Sequence, residues 1–168
     1  LNNLKQAAKT MNFLTERGIS SYGELESKLA ALSARRDTAH AEIKRVESRS
    51  TELALVMKHA GTYRQLKPLY DRYRKSNDKE KFLRGHESEI ILFEAAAREL
   101  KRLGAVPLPT TESMKTELAN LNAEKERLLA EYKTARTEAQ EYDTVKQNVD
   151  ALLAVPKEQE QQRRHELE

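Results

Sequence analysis

From Leu25 onward an apolar residue returns every seventh position, at Leu25, Leu32, Ala39, Val46, Leu53 and Ala60, while Leu29, Arg36, Ile43, Ser50 and Met57 hold the companion position. This heptad spacing predicts a long helix with one buried stripe. Arg36 and Ser50 interrupt the companion row, which suits a seam whose polar residues fix register or lie at its edge. A second stripe runs through Met114, Leu121, Leu128, Ala135, Tyr142 and Val149, with Leu118, Lys125, Tyr132, Ala139, Lys146 and Leu153 beside it. The two stripes match in length and a reversing segment joins them. The pattern therefore predicts an all-α fold: an elongated antiparallel coiled-coil hairpin with a kinked long helix and additional shorter helices.

Breakers and caps place the remaining elements. A short amphipathic helix is expected from about Asn3 to Arg17, closed by Gly18 with Ile19 as its hydrophobic contact. Ser21 followed three residues on by Glu24 has the form of a capping box and opens the long helix. Near Gly61 the register shifts to Tyr63, Leu66, Tyr70 and Tyr73, and Pro68 lacks the backbone N–H that a helix interior uses, so a kink or break is expected there. Asn77 with Glu80 offers a cap for a third helix, carrying Phe82, Ile90, Phe93, Ala97 and Leu100 on one face and ending near Gly104. The run Ile90–Ala97 is apolar around more than one face and predicts a helix covered on two sides, by the long helices or by a second copy. Pro107 and Pro109 interrupt the chain before Thr110 or Thr111 caps the last helix, expected to run to about Val155. Residues 1–155 thus read as one elongated helical module and 156–168 as a frayed polar tail.

Composition narrows the function classes. Of 168 residues 34% are charged and 5% aromatic, too little large apolar material for a thick two-layer core. Cysteine is absent, which excludes disulfides and thiolate metal sites and fits a cytoplasmic chain. No apolar run approaches the ~20 residues of a membrane span. The start at Leu1 without Met, and the terminal Leu167-Glu168, lead to the expectation of a piece of a longer protein. A formal charge of +3 is too small to identify a nucleic-acid partner by itself.

Catalytic constellations are missing from the sequence. There is no glycine-rich phosphate loop, no serine elbow and no paired His-Glu motif. His40, His59, His86 and His165 are scattered singly, whereas a metal needs ligands that converge. No catalytic residue, metal ligand or cofactor is therefore assigned. One stretch stands out by composition: Arg64, Lys67, Arg72, Arg74, Lys75, Lys79, Lys81 and Arg84 interleave with Tyr63, Tyr70, Tyr73 and Phe82. Cations neutralise phosphates and aromatic faces stack on exposed bases, so Arg64, Lys67, Tyr70, Arg72, Tyr73, Arg74, Lys75, Lys79, Lys81 and Arg84 are the DNA-contact candidates. The competing reading, which carries more weight, is that the tyrosines form the small core of a helical elbow and the cations solubilise it.

The string Asn3–Gly18, the run Lys79–Leu92, the dipeptide Leu108-Pro109 and the string Val145–Asp150 resemble the C-terminal region of relaxase/mobilisation nucleases carried by conjugative elements of Gram-positive bacteria. Relaxases of this kind nick one strand at the transfer origin with a tyrosine nucleophile and a metal held by clustered histidines, both in an N-terminal domain. The resemblance implies a non-catalytic C-terminal module, with the active site outside this chain, that supports DNA mobilisation through protein partners in the transfer complex and by weak auxiliary DNA binding. The alternative is a structural coiled-coil scaffold or homo-oligomerisation module unrelated to DNA transfer.

Overall fold

The computed structural model describes residues 2–167, with the backbone alone at 155–157. Those residues form four helices and no strand: α1 (Asn2–Glu16), α2 (Tyr22–Lys75), α3 (Lys79–Arg102) and α4 (Thr111–His165). The chain organises into two compact units, Leu1–Glu42 with Leu128–Glu168 and Ile43–Arg127.

Every residue of the first α2 stripe, from Leu25 through Ala60, is buried, and so are Met114, Leu121, Leu128, Ala135 and Tyr142 of α4. In the unit built on Ile43–Arg127, Arg45 Nη2 lies 2.8 Å from Glu124 Oε1, Arg49 Nε 2.6 Å from Glu117 Oε1, and Lys125 Nζ 3.2 Å from Glu47 Oε1. From Arg45 to Arg49 along α2 the α4 partner falls by two turns, from Glu124 to Glu117, which makes the pair antiparallel. The polar intrusions are accommodated at the edge: Lys125 takes its ion pair with Glu47, and in the other unit Arg36 turns to Asp37 at 3.0 Å. These exposed pairs set register more than stability, since each is worth about 0–1 kcal/mol. The pairs at Arg45 and Arg49 bracket Val46, so the buried α4 residue facing it is Leu121. Cysteines introduced together by Val46→Cys and Leu121→Cys are expected to close a disulfide within one chain, read as a monomer of increased mobility on a non-reducing gel. Exclusive dimer formation by that double variant would reject the hairpin.

The other unit packs α1 against α2 and α4. Leu25, Leu32, Ala139, Tyr142 and Val145 form its core, with Phe13, Leu14, Ile19 and Leu29 against them. Phe13 meets Tyr142 edge-on at 5.0 Å, and the Arg17 guanidinium lies 3.6 Å over the Phe13 ring. Thr10 is buried with its hydroxyl donating to the Gln6 carbonyl at 2.9 Å, which satisfies the polar group it takes out of water. At the start of α2 the Tyr22 hydroxyl donates to Asp150 at 2.6 Å, and that bond, with Lys146 beside it, holds the Asp150 carboxyl below its ordinary range.

Local chemistry explains most boundaries. At Gly18, φ is +66°, Ile19 N–H bonds to the Leu14 carbonyl and Gly18 N–H to that of Thr15, so α1 closes as anticipated. Gly104 repeats the arrangement at the end of α3, with φ +70° and Ala105 N–H bonded to the Leu100 carbonyl. Glu24 N–H donates to Ser21 Oγ at 3.1 Å, while the Glu24 carboxylate reaches back to Ser20 N–H, one residue earlier than a capping box requires. Thr110 caps α4 by accepting from Ser113 N–H at 3.1 Å.

Three expectations need correction. The cap of α3 is Asp78, whose carboxylate accepts from Lys81 N–H at 3.1 Å, and not Asn77. No break occurs at Gly61 or Pro68: α2 continues to Lys75. Pro68 is exposed, so water reaches the carbonyl it leaves without a partner, and packing of Tyr63 and Tyr70 on α3 holds the turns on either side. The departure from helical backbone falls in α3, at His86, with φ −138° and ψ 26°. Finally, α4 continues past Val155 to His165. Its last turns are exposed and rich in Glu, Gln and Arg, residues of good helix propensity, with Arg164 3.5 Å from Glu160 one turn before it.

Candidate nucleic-acid interface

All the DNA-contact candidates lie in the unit Ile43–Arg127, where α2 ends, the chain turns at 76–78 and α3 begins. Ser76 Oγ, which accepts from Asp78 N–H, tightens this turn, and the Asp78 cap starts α3 immediately after it. A ladder of rings locks the two helices together. Phe93 is buried and stacks on Tyr70 at 4.2 Å and on Tyr63 at 4.8 Å. Tyr70 continues to Tyr73 at 5.9 Å, Tyr73 to Phe82 at 6.0 Å, and Phe82 to His86 at 4.8 Å. Offset and tilted contacts at these separations add to the area the rings bury.

The structure divides the candidates by what they already touch. Arg64 is committed to the α3–α4 connection, donating to Thr111 Oγ1 at 2.9 Å and to the Pro109 carbonyl. Lys67 pairs with Asp71 at 2.9 Å, and this hydrogen bond pushes the lysine pKa up. Tyr70 and Tyr73 are half-buried within the ring ladder, so their faces serve the elbow. Arg72 sits with its guanidinium 5.8 Å from the Phe82 centroid, a cation–π distance that still leaves its charge exposed.

Arg74, Lys75, Lys79 and Lys81 are exposed and make no ion pair among the described residues. Arg84 is exposed as well, and its Nε contacts only the Glu80 carbonyl, at 3.4 Å. Arg72, Arg74 and Lys75 occupy the last turn of α2, where the helix dipole favours positive charge. The turn then brings Lys79 and Lys81 alongside. Exposed cations thus stand on both sides of the turn at 76–78, next to the ring ladder that joins α2 to α3.

Near this corner a recess of about 270 Å³ is lined by Ser76, Asp78, Lys81, Phe82, Gly85 and His86. His86 Nδ1 is buried there without a hydrogen-bond partner, 3.6 Å from a Glu89 carboxylate oxygen. The sequence signals nothing special at this histidine; only its break from helical φ and ψ distinguishes it. Among the described residues no group of three His, Cys, Asp or Glu side chains is placed to hold a metal ion. No helix among them is long and apolar enough to cross a membrane. The chain matches no family model, no curated protein and no solved structure.

Proposed function

We propose that the chain is a non-catalytic helical module of a DNA-mobilisation relaxase, whose active site lies elsewhere, and that it supports DNA transfer through protein contacts and through auxiliary binding of the DNA phosphate backbone at the α2–α3 corner. The observation that carries the DNA contact is the set of exposed cations, Arg72, Arg74, Lys75, Lys79 and Lys81, on both sides of one turn and without carboxylate partners among the described residues. The resemblance of Asn3–Gly18 and Lys79–Leu92 to relaxase C-terminal regions supplies the nucleic acid's identity. Because Tyr70 and Tyr73 stack within the elbow, the binding term is electrostatic rather than base stacking.

Phosphate binding releases counterions, so a contact with about four phosphates weakens on the order of a hundredfold between 50 and 200 mM salt. Fluorescence anisotropy with labelled DNA at a series of salt concentrations measures this slope. The triple change Arg72→Glu, Arg74→Glu and Lys75→Glu is expected to abolish binding while circular dichroism stays unchanged. Binding that is missing at low salt, or that survives the charge reversal, removes the DNA role. The scaffold reading then stands in its place, and the exposed Ile91 and Leu92 on α3 favour it.

A further inference from the structure

A groove of about 790 Å³ runs between α1 and α4 in the unit Leu1–Glu42 with Leu128–Glu168. Lys5 and Lys9, one helical turn apart on α1, line it, are exposed and have no acidic partner among the described residues. Glu141 is the one carboxylate among the described lining residues, and it pairs with Arg17 at 3.6 Å, so the two lysines set the sign of the groove. The floor is a seam of amides. Gln6 Nε2 donates to Asn148 Oδ1 at 3.0 Å and Asn148 Nδ2 to Thr10 Oγ1 at 3.4 Å, which leaves one N–H of each amide without a partner among the described residues. Apolar side chains of the same shape would hold the two helices at least as well. What the amides add is hydrogen-bonding groups that line the groove.

We infer that this groove binds a short stretch of single-stranded DNA, with phosphates on Lys5 and Lys9 and sugar or base edges on the open N–H groups of Gln6 and Asn148. Its ligand class rests on the DNA-mobilisation reading above, while its contacts lie on a different surface. The lining favours nucleic acid over an acidic protein segment. Lys, Arg, Asn, Gln and Thr side chains supply the contacts to phosphate and sugar, and such interfaces are more polar and more positive than those between proteins. A protein segment needs an apolar anchor in a pocket. Here the apolar lining residues are already occupied: Phe13 meets Tyr142 edge-on and has Arg17 3.6 Å over its ring, and Val145 belongs to the core. A volume within the about 300–1,000 Å³ of small-ligand sites admits a single strand and excludes a duplex.

Fluorescence anisotropy of the full chain at low salt, with a labelled single-stranded oligothymidylate and a labelled duplex, tests this. The double change Lys5→Glu and Lys9→Glu should weaken single-strand binding about tenfold and lower its salt slope by about 1.4, about 0.7 for each of two phosphates, with duplex binding unchanged. Lys5→Arg with Lys9→Arg keeps the charge and should keep the affinity. Gln6→Met with Asn148→Leu should weaken single-strand binding about threefold or more while thermal stability holds or rises, a combination that a merely structural role cannot give. If the Arg72, Arg74 and Lys75 reversal removes binding to both DNAs and the Lys5 and Lys9 reversal affects neither, the groove is overturned and the DNA reading stands. Absence of binding to either DNA before any substitution overturns both. An equal loss on duplex and single strand overturns the groove as well. So does a labelled oligoglutamate peptide of equal charge that binds as tightly and is lost in the same variant, since the groove would then take an acidic protein segment.

Discussion

Phe93→Ala is expected to destabilise the unit Ile43–Arg127 by about 3–5 kcal/mol, the range for removing a buried aromatic ring. Phe93 is 5% exposed and is the one ring in contact with both Tyr63 and Tyr70 across the α2–α3 pair. Its loss removes two stacked contacts and leaves a cavity between the helices. Urea unfolding followed by circular dichroism measures the change, and a loss of this size is a large part of the 5–15 kcal/mol that holds a typical domain folded. The neighbouring Ile91→Ala supplies the contrast. In dilute solution it should change stability by no more than about 0.5 kcal/mol, because the side chain is already in water. Equal effects at 91 and 93 would mean that α3 is covered on both faces, as the apolar run Ile90–Ala97 taken alone predicts. The Phe93 ring holds the end of α2 on α3, so DNA affinity should fall in the Phe93→Ala variant without the loss of a single cation.

Val46→Asp should be at least as damaging. Val46 is 0% exposed, within a unit whose buried residues include Ile43, Leu53 and Leu121. The flanking Arg45 and Arg49 already have acidic partners in Glu124 and Glu117, so neither is free to take the new carboxylate. A buried charge left unpaired costs several kcal/mol, and the group avoids part of that cost by taking up a proton. Burial raises the folded-state pKa of the introduced carboxyl above its unfolded value, so the folded state binds the extra proton and stability falls as pH rises through that interval. Denaturation midpoints at pH 4 and pH 7, each taken relative to the unsubstituted protein, should therefore differ more at pH 7. A difference independent of pH would place residue 46 at the surface.

The two core predictions rest on positions of unequal legibility. Val46 is readable from spacing alone, because a heptad repeat sustained from Leu25 to Ala60 has only one face that an antiparallel partner can bury. The inward role of Phe93 is readable as well, but its ring contacts are not. They depend on α2 continuing through Pro68 to deliver Tyr70, and proline argues locally against that. The local penalty of about 3 kcal/mol is a propensity, and packing on both sides of Pro68 outweighs it.

The candidate interface divides in the same way. Its cations and aromatics are conspicuous as a composition, and the turn that gathers them is marked by Ser76 and Asp78 within a polar stretch. Arg64 and Lys67 look equivalent to Arg74 and Lys75 in the sequence, yet the first two are occupied by Pro109, Thr111 and Asp71, and the second two are open. Such partners come from a distant connection or from a helical neighbour's rotamer, and neither is encoded in the spacing of charges. The sequence by itself determined the all-α class through its heptads, the antiparallel pairing of α2 with α4 through the reversing segment between them, and the closed ends of α1 and α3 through Gly18 and Gly104, because these follow from periodicity, from chain connectivity and from backbone conformations available at few residue types. Only the tertiary structure decided where the helix irregularity falls, which cations remain unpaired and that Ile91 and Leu92 face water. Each of these depends on which surfaces meet after the chain reverses, and a linear pattern carries no information about a face that finds no partner within its own chain.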